Sequence, residues 1–234
     1  MTIEDIQQEL ARLGDPERAV HSQRFFKTGP GEFGEGDRFR GIRVPVLRQV
    51  AKRYRELPLE GVVRLLRSSF HEDRLVALLI LTQAFARGDE ATRQRLYELY
   101  LDNTAYINNW DLVDTSAEHI VGGYLWERDR EPLYRLAGSD SLWERRIAIL
   151  ATFHFIKRGE FEETLRLAEV LLDDPQDLIH KAVGWMLREV GNHDLQAEEA
   201  FLELHYHRMP RTMLRYAIEK FPEPKRQAYL RGTV

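Results

Sequence analysis

The spacing of apolar residues constrains this chain more than any other feature. After His71, for example, Leu75, Leu78, Leu79 and Thr82 fall on one helical face, with Val76 and Ile80 beside them. The same period recurs almost throughout, and no region sustains the alternation of a strand. Turn signals cut the pattern at Gly14-Asp15-Pro16, Pro45, Pro58, Gly88-Asp89, Gly138-Ser139-Asp140, Gly159, Asp174-Pro175, Gly191-Asn192, Pro210 and Pro222. The intervals leave segments of about 10 to 18 residues, ordinary helix lengths. Short connections between such segments imply antiparallel neighbours. The expectation is an all-α protein of about a dozen helices, without a sheet.

A weak internal repeat sharpens this. A polar or charged residue is followed three positions later by a small one at Arg74/Ala77, Asp114/Ala117, Arg145/Ala148 and Lys181/Gly184, in steps of 40, 31 and 36 residues. Two helices per step is the pattern of a HEAT-like helical-repeat solenoid. Small residues let neighbouring helices approach closely. The charged partners are expected to project from one side and line a concave, basic face. The whole chain, 1–234, is read as one such domain.

Charge supports a divided surface. Net charge is −4, which argues against a general nucleic-acid binder. Its distribution is uneven. Arg24 to Arg55 holds nine basic residues against Glu32, Glu35 and Asp37. His205 to Leu230 holds six against Glu219 and Glu223, while acids gather from Glu160 to Asp177. With no Cys there is neither a disulfide framework nor a thiolate metal site or nucleophile. The polar start, with Glu4, Asp5 and Glu9, lacks the pattern of a signal peptide, and no apolar run is long enough to span a membrane. A cytoplasmic monomer beside the nucleoid is expected, with no cofactor and no metal; His205-x-His207 lacks an obvious third zinc ligand.

The remaining chemistry must use carboxylates, arginines and aromatics. A long irregular stretch, Lys27 to Val44, carries five glycines but is neither a P-loop nor a dinucleotide fingerprint. Its bland reading is an inter-helix loop. Its functional reading is a backbone that approaches phosphates, helped by Lys27, Arg38, Arg40 and Arg43. In NNWDLVD, Asn109 fits an N-cap, and Trp110 and Asp114 share a face. Acids in a first turn also simply stabilise a helix through its dipole. In the segment around Trp185, the residues Lys181, Trp185 and Arg188 form one stripe, suited to a phosphate backbone beside an unstacked sugar or base. Trp143 and Arg146 repeat these types on a third helix. Core packing of the tryptophans is the alternative.

Four segments together resemble the AlkD-type alkylpurine DNA glycosylases, the HEAT-like DNA alkylation repair enzymes: FFKTGPGEFGEGDRFRGIRVP (25–45), NNWDLVD (108–114), LWERRIAIL (142–150) and KAVGWMLRE (181–189). The resemblance covers most of the chain. It implies hydrolysis of the N-glycosidic bond of cationic N3- or N7-alkylated purines in duplex DNA, without base flipping. Asp114 matches the family's catalytic carboxylate, and Trp110 an aromatic that packs on the lesion's deoxyribose. Arg146 matches the arginine beside the carboxylate, with Arg145 the fallback one residue earlier, and Trp185 matches the second aromatic wall. Arg188 resembles a phosphate contact, and Lys27 falls where the family approaches DNA. One departure is Asn109, where some members have another aromatic, which bears on substrate range. Non-catalytic relatives lack the carboxylate that this chain retains. The competing reading is a helical-repeat module that binds nucleic acid, including structured RNA, or protein without chemistry. Release of free base from alkylated DNA separates the two.

Overall fold

The computed structural model of this protein describes residues 2–234. Among them there are sixteen α-helical segments and no strand; a single isolated bridge joins Arg38 and Phe70. The turn signals act through identifiable end chemistry. Asp15 accepts from the Arg18 amide at 3.1 Å to start the Pro16–Phe25 helix, and Asp89 accepts from Thr92 at 2.9 Å to start Glu90–Leu101. Pro58, Pro210 and Pro222 immediately precede Leu59–Leu66, Arg211–Ala217 and Glu223–Arg231. Gly191-Asn192 is the exception. The Asp177–His193 helix runs through it and stops where Asp194 caps the next helix, Leu195–His205. At Gly191 the Glu198 carboxylate lies where a side chain would begin. No helix of the described residues is long and apolar enough to cross a membrane.

The contacts separate into two compact units, 1–120 and 121–234. The chain passes from one to the other within a π-helical turn, Glu118–Gly122. In the first unit the His71–Arg87 helix is central. It packs against Val44–Arg53, Leu59–Leu66 and Trp110–Ala117, and its residues 71–81 are all buried. In the second unit the corresponding centre is Asp177–His193, packed against Leu142–Ala151, Leu195–His205 and Arg211–Ala217.

The repeated small residues do let backbones approach. A side chain on Gly184 would fall on the Met213 carbonyl oxygen and the Tyr216 Cβ. The repeated charges behave differently from expectation at two of four positions. Arg74 and Arg145 do not line a solvent-facing surface; each folds back on the turn before its own helix. Arg74 donates to the Ser68 carbonyl at 3.0 Å and to Asp37 at 2.5 Å. Arg145 donates to the Ser139 carbonyl at 2.8 Å and to Asp174 at 2.6 Å. Arg74 is buried and Arg145 mostly so; a guanidinium drawn out of water needs acceptors for its donors, and the turn carbonyls six residues upstream supply them in both repeats. Asp114 is half-buried, and Lys181 is partly exposed in an i,i+4 pair with Asp177.

Glu198 is 2% exposed, and its Oε1 has no partner among the described residues. Burial, with the neighbouring Glu199 charge, pushes its pKa up to about 8, against the opposing effect of Arg188. A carboxyl raised in the folded state contributes stability below its unfolded value, near 4.5, and loses it as pH climbs to about 8. Glu198→Gln is therefore expected to stabilise the protein increasingly from pH 5 to about pH 8, measured as denaturation midpoint against pH. Gly184→Ala is expected to cost about 1–3 kcal/mol in the same measurement, since backbone rather than a flexible side chain would have to move.

Candidate active site

The irregular segment before Val44–Arg53 is held by the start of the His71–Arg87 helix. Glu72 accepts from the backbone amides of Arg40 at 2.8 Å, Gly41 at 2.7 Å and Ile42 at 3.2 Å. Gly41 has φ +79°, and a side chain there would fall on the Asp15 carbonyl oxygen. Asp73, with its side chain fully buried, takes the Arg40 guanidinium at 2.7 and 3.0 Å and the Ser68 hydroxyl at 2.8 Å. The Arg38 carbonyl accepts from the His71 amide at 2.8 Å. Arg38 and Arg40 both lie over the Phe70 ring. Lys27, Arg38 and Arg43 are exposed, and Lys27 has φ +51°.

At the centre lies His71, 2% exposed, with Nδ1 at 2.8 Å from Asp37 and Nε2 at 2.8 Å from Asp111. Burial works against its charge, but Asp111 and Asp37 together raise its pKa to about 9, so it is an imidazolium at neutral pH. Burial pushes Asp37 up, yet His71 and Arg74 hold it below the ordinary carboxylate value. Two cations, His71 and Arg74, thus balance two carboxylates.

This network adjoins the Trp110–Ala117 helix. Asn109 caps it, as the sequence suggested, accepting from the Trp110 amide at 2.9 Å. Asn109 is completely buried and donates to Asp37 at 3.4 Å. Asp111 is more than a first-turn acid facing the helix dipole, because it bonds His71. The half-buried Trp110 ring stacks on Phe26, with centroids 5.2 Å apart and planes at 12°, and meets Phe25 edge-on at 5.9 Å. Phe26 in turn stacks on Phe39, and Phe39 on His71. Phe25 is 60% exposed. Asp114, one turn after Trp110, is half-buried; its charge reaches Tyr100, whose phenol is raised first by burial and held down by Ser116. The sequence reasoning missed Phe25, Phe26, Phe39 and His71. The doubled phenylalanine directly before Lys27 was the available signal.

In the second unit, Arg146 is buried and donates to the Leu178 carbonyl at 2.6 Å, which joins Leu142–Ala151 to the start of Asp177–His193. Trp185 is half-buried; its Nε1 donates to Glu189 at 2.9 Å and Phe153 lies 5.8 Å away. Arg188 bonds Glu189 at 3.0 Å and also Glu219. Arg145 is committed to Asp174, as described above. The Arg130 and Arg158 guanidiniums both lie over the ring of Trp126, which was not singled out beforehand. His205 and His207 pack on Phe201 and Tyr206.

The sign of the His71 shift fixes a pH window. A histidine raised in the folded state contributes its full stability below its unfolded value, near 6.5, and loses it as pH passes about 9. Folding stability is expected to fall by about 3 kcal/mol between pH 6.5 and 9.5, and His71→Gln should flatten that decline. Chemical denaturation across that range measures it.

Comparisons with known proteins bear on the fold and the family. A search of the curated proteins finds no match. Among solved structures, a "predicted DNA alkylation repair enzyme" from Enterococcus faecalis superposes with TM-score 0.68 at 18% identity, over 90% of this chain and 97% of that one. The crystal structure of AlkD2 from Streptococcus mutans superposes with TM-score 0.52 at 16% identity, over 93% of this chain and 99% of that one. At such identities these likenesses speak to the all-helical repeat fold alone. The family model described as DNA alkylation repair enzyme matches residues 6–221, and the chain belongs to that family.

Proposed function

We propose that this protein is a monofunctional DNA glycosylase that excises cationic N3- or N7-alkylated purines from duplex DNA, acting as one 1–234 domain. The observation that carries the reading is the presentation of Trp110. Its indole is half-exposed and backed by Phe26, with exposed Phe25 at its edge and Asp114 one helical turn away. Exposed Lys27 and Arg38 directly adjoin Phe26 and Phe39 of the same aromatic stack.

The chemistry follows from the substrate. A cationic base is already a good leaving group and needs no general acid. Its departure builds positive charge on the deoxyribose. The Asp114 carboxylate stabilises that charge and orients the attacking water, and the Trp110 face adds attraction for a cationic sugar. Arg146 and Trp185 keep, within this proposal, the roles that the resemblance gives them. Affinity comes from phosphate contacts by Lys27, Arg38, Arg43 and Lys181. Arg188 and Arg145 contribute less directly, since each is held by carboxylates of its own unit.

The native protein is expected to release free N7-methylguanine from methylated duplex DNA and leave an abasic site. Asp114→Asn should slow single-turnover release by about 10²–10³-fold while leaving duplex affinity nearly unchanged. Full activity in that variant removes Asp114 from the mechanism. Duplex binding without any base release favours a binding module instead.

A further inference from the structure

The His71 ring is where three separate parts of the first unit meet. Asp37 comes from the glycine-rich loop, His71 from the start of the central helix, and Asp111 from the first turn of Trp110–Ala117. Both ring nitrogens are used, at 2.8 Å each, so the imidazole can bridge nothing else. Phe39 at 4.5 Å and Phe26 at 4.9 Å pack against it, and Phe26 carries the Trp110 indole on its stack. Asp37 is tied down in turn by Arg74 at 2.5 Å and Asn109 at 3.4 Å. Asp111 has no such support. Its Oδ1 is buried without a donor, so among the described residues His71 is the hydrogen-bond donor the structure gives that carboxylate.

We infer that His71 is a positioning residue. Through Asp37 and Asp111 it couples the folding of loop 27–44 to the orientation of the helix turn that carries Trp110, with Asp114 one turn on. The inference deepens the glycosylase reading and rests on it for its catalytic consequence. His71 is buried beneath the aromatic stack, so it touches no substrate. Its effect passes through Asp111, one residue after Trp110 and three before Asp114. Loss of His71 leaves the mostly buried Asp111 carboxylate with no protein donor, and the first turn is then free to rotate away from the Phe26 stack.

Three measurements on the full chain test this. They are single-turnover release of N7-methylguanine, affinity for lesion-free duplex, and acrylamide quenching of Trp110 in a chain with Trp126→Phe, Trp143→Phe and Trp185→Phe. His71→Gln and Asp111→Asn are each expected to lower the release rate about tenfold or more, with affinity held within about threefold, and the double variant should be no slower than the worse single one. Quenching of Trp110 should rise in both. A release rate within about twofold of the native value overturns the inference, as do additive losses in the double variant or a parallel fall of rate and affinity. If His71→Gln does not fold, Asp111→Asn decides by the same measurements, because it leaves the Asp37 bond intact. If the native protein releases no base, the glycosylase reading falls, and the quenching of Trp110 alone decides whether His71 positions it.

Discussion

Four consecutive residues, His71, Glu72, Asp73 and Arg74, are all buried at the first turn of one helix, and a loop without regular structure is folded onto them. Charged side chains are rarely so placed unless every one is answered. Here the answers come from the loop and from the turn before the helix, with Asp111 of Trp110–Ala117 on the far side of His71. Glu72 takes three successive loop amides, Asp73 the Arg40 guanidinium, Arg74 and His71 the Asp37 carboxylate. Removing one partner from such a set costs about 3–5 kcal/mol, because the other is left charged and dry. The loop's shape is therefore set by these tertiary partners, although its own residues have no repeating pattern.

That specification reaches the candidate active site through packing. The loop carries Phe39, and the residues leading into it carry Phe25 and Phe26, so fixing the loop fixes the surface on which Trp110 rests. An aromatic ring that must present one face to a ligand needs its other face supported; otherwise rotamer freedom is lost on binding. Phe26 provides that support, and the same charge network holds the helix from which Trp110 projects. Family membership and the helical-repeat fold are consistent with such a scaffold, in which rigid helices display a few side chains while chemistry resides in the residues displayed.

The second unit uses its repeat for a related structural purpose. Arg145 occupies the place in its helix that Arg74 occupies in the first unit, and both reach the carbonyl six residues upstream. In both units the shared position supplies donors to the carbonyls of the turn before the helix. Arg146, next in the chain, is turned to the Leu178 carbonyl instead. Adjacent arginines on a helix point about 100° apart, so they serve different neighbours.

Local rules made much of this legible. Helical period, proline and glycine breaks, the Asn109 cap and the irregular Lys27–Val44 stretch follow from backbone preferences that act over a few residues. They determined that the chain is all-α and where most helices begin. They misjudged Gly191-Asn192, since a lone glycine weakens a helix without ending it and Asp177–His193 runs through. Local rules also could not reveal that Asp111 belongs with His71 and Asp37, forty and seventy-four positions back. Nor could they show that Arg74 and Arg145 turn back on their own repeats. A charged residue at a given helical position is compatible with solvent or with a buried partner, and only the meeting of distant segments decides which, since the partner's desolvation and geometry exist only in the folded chain.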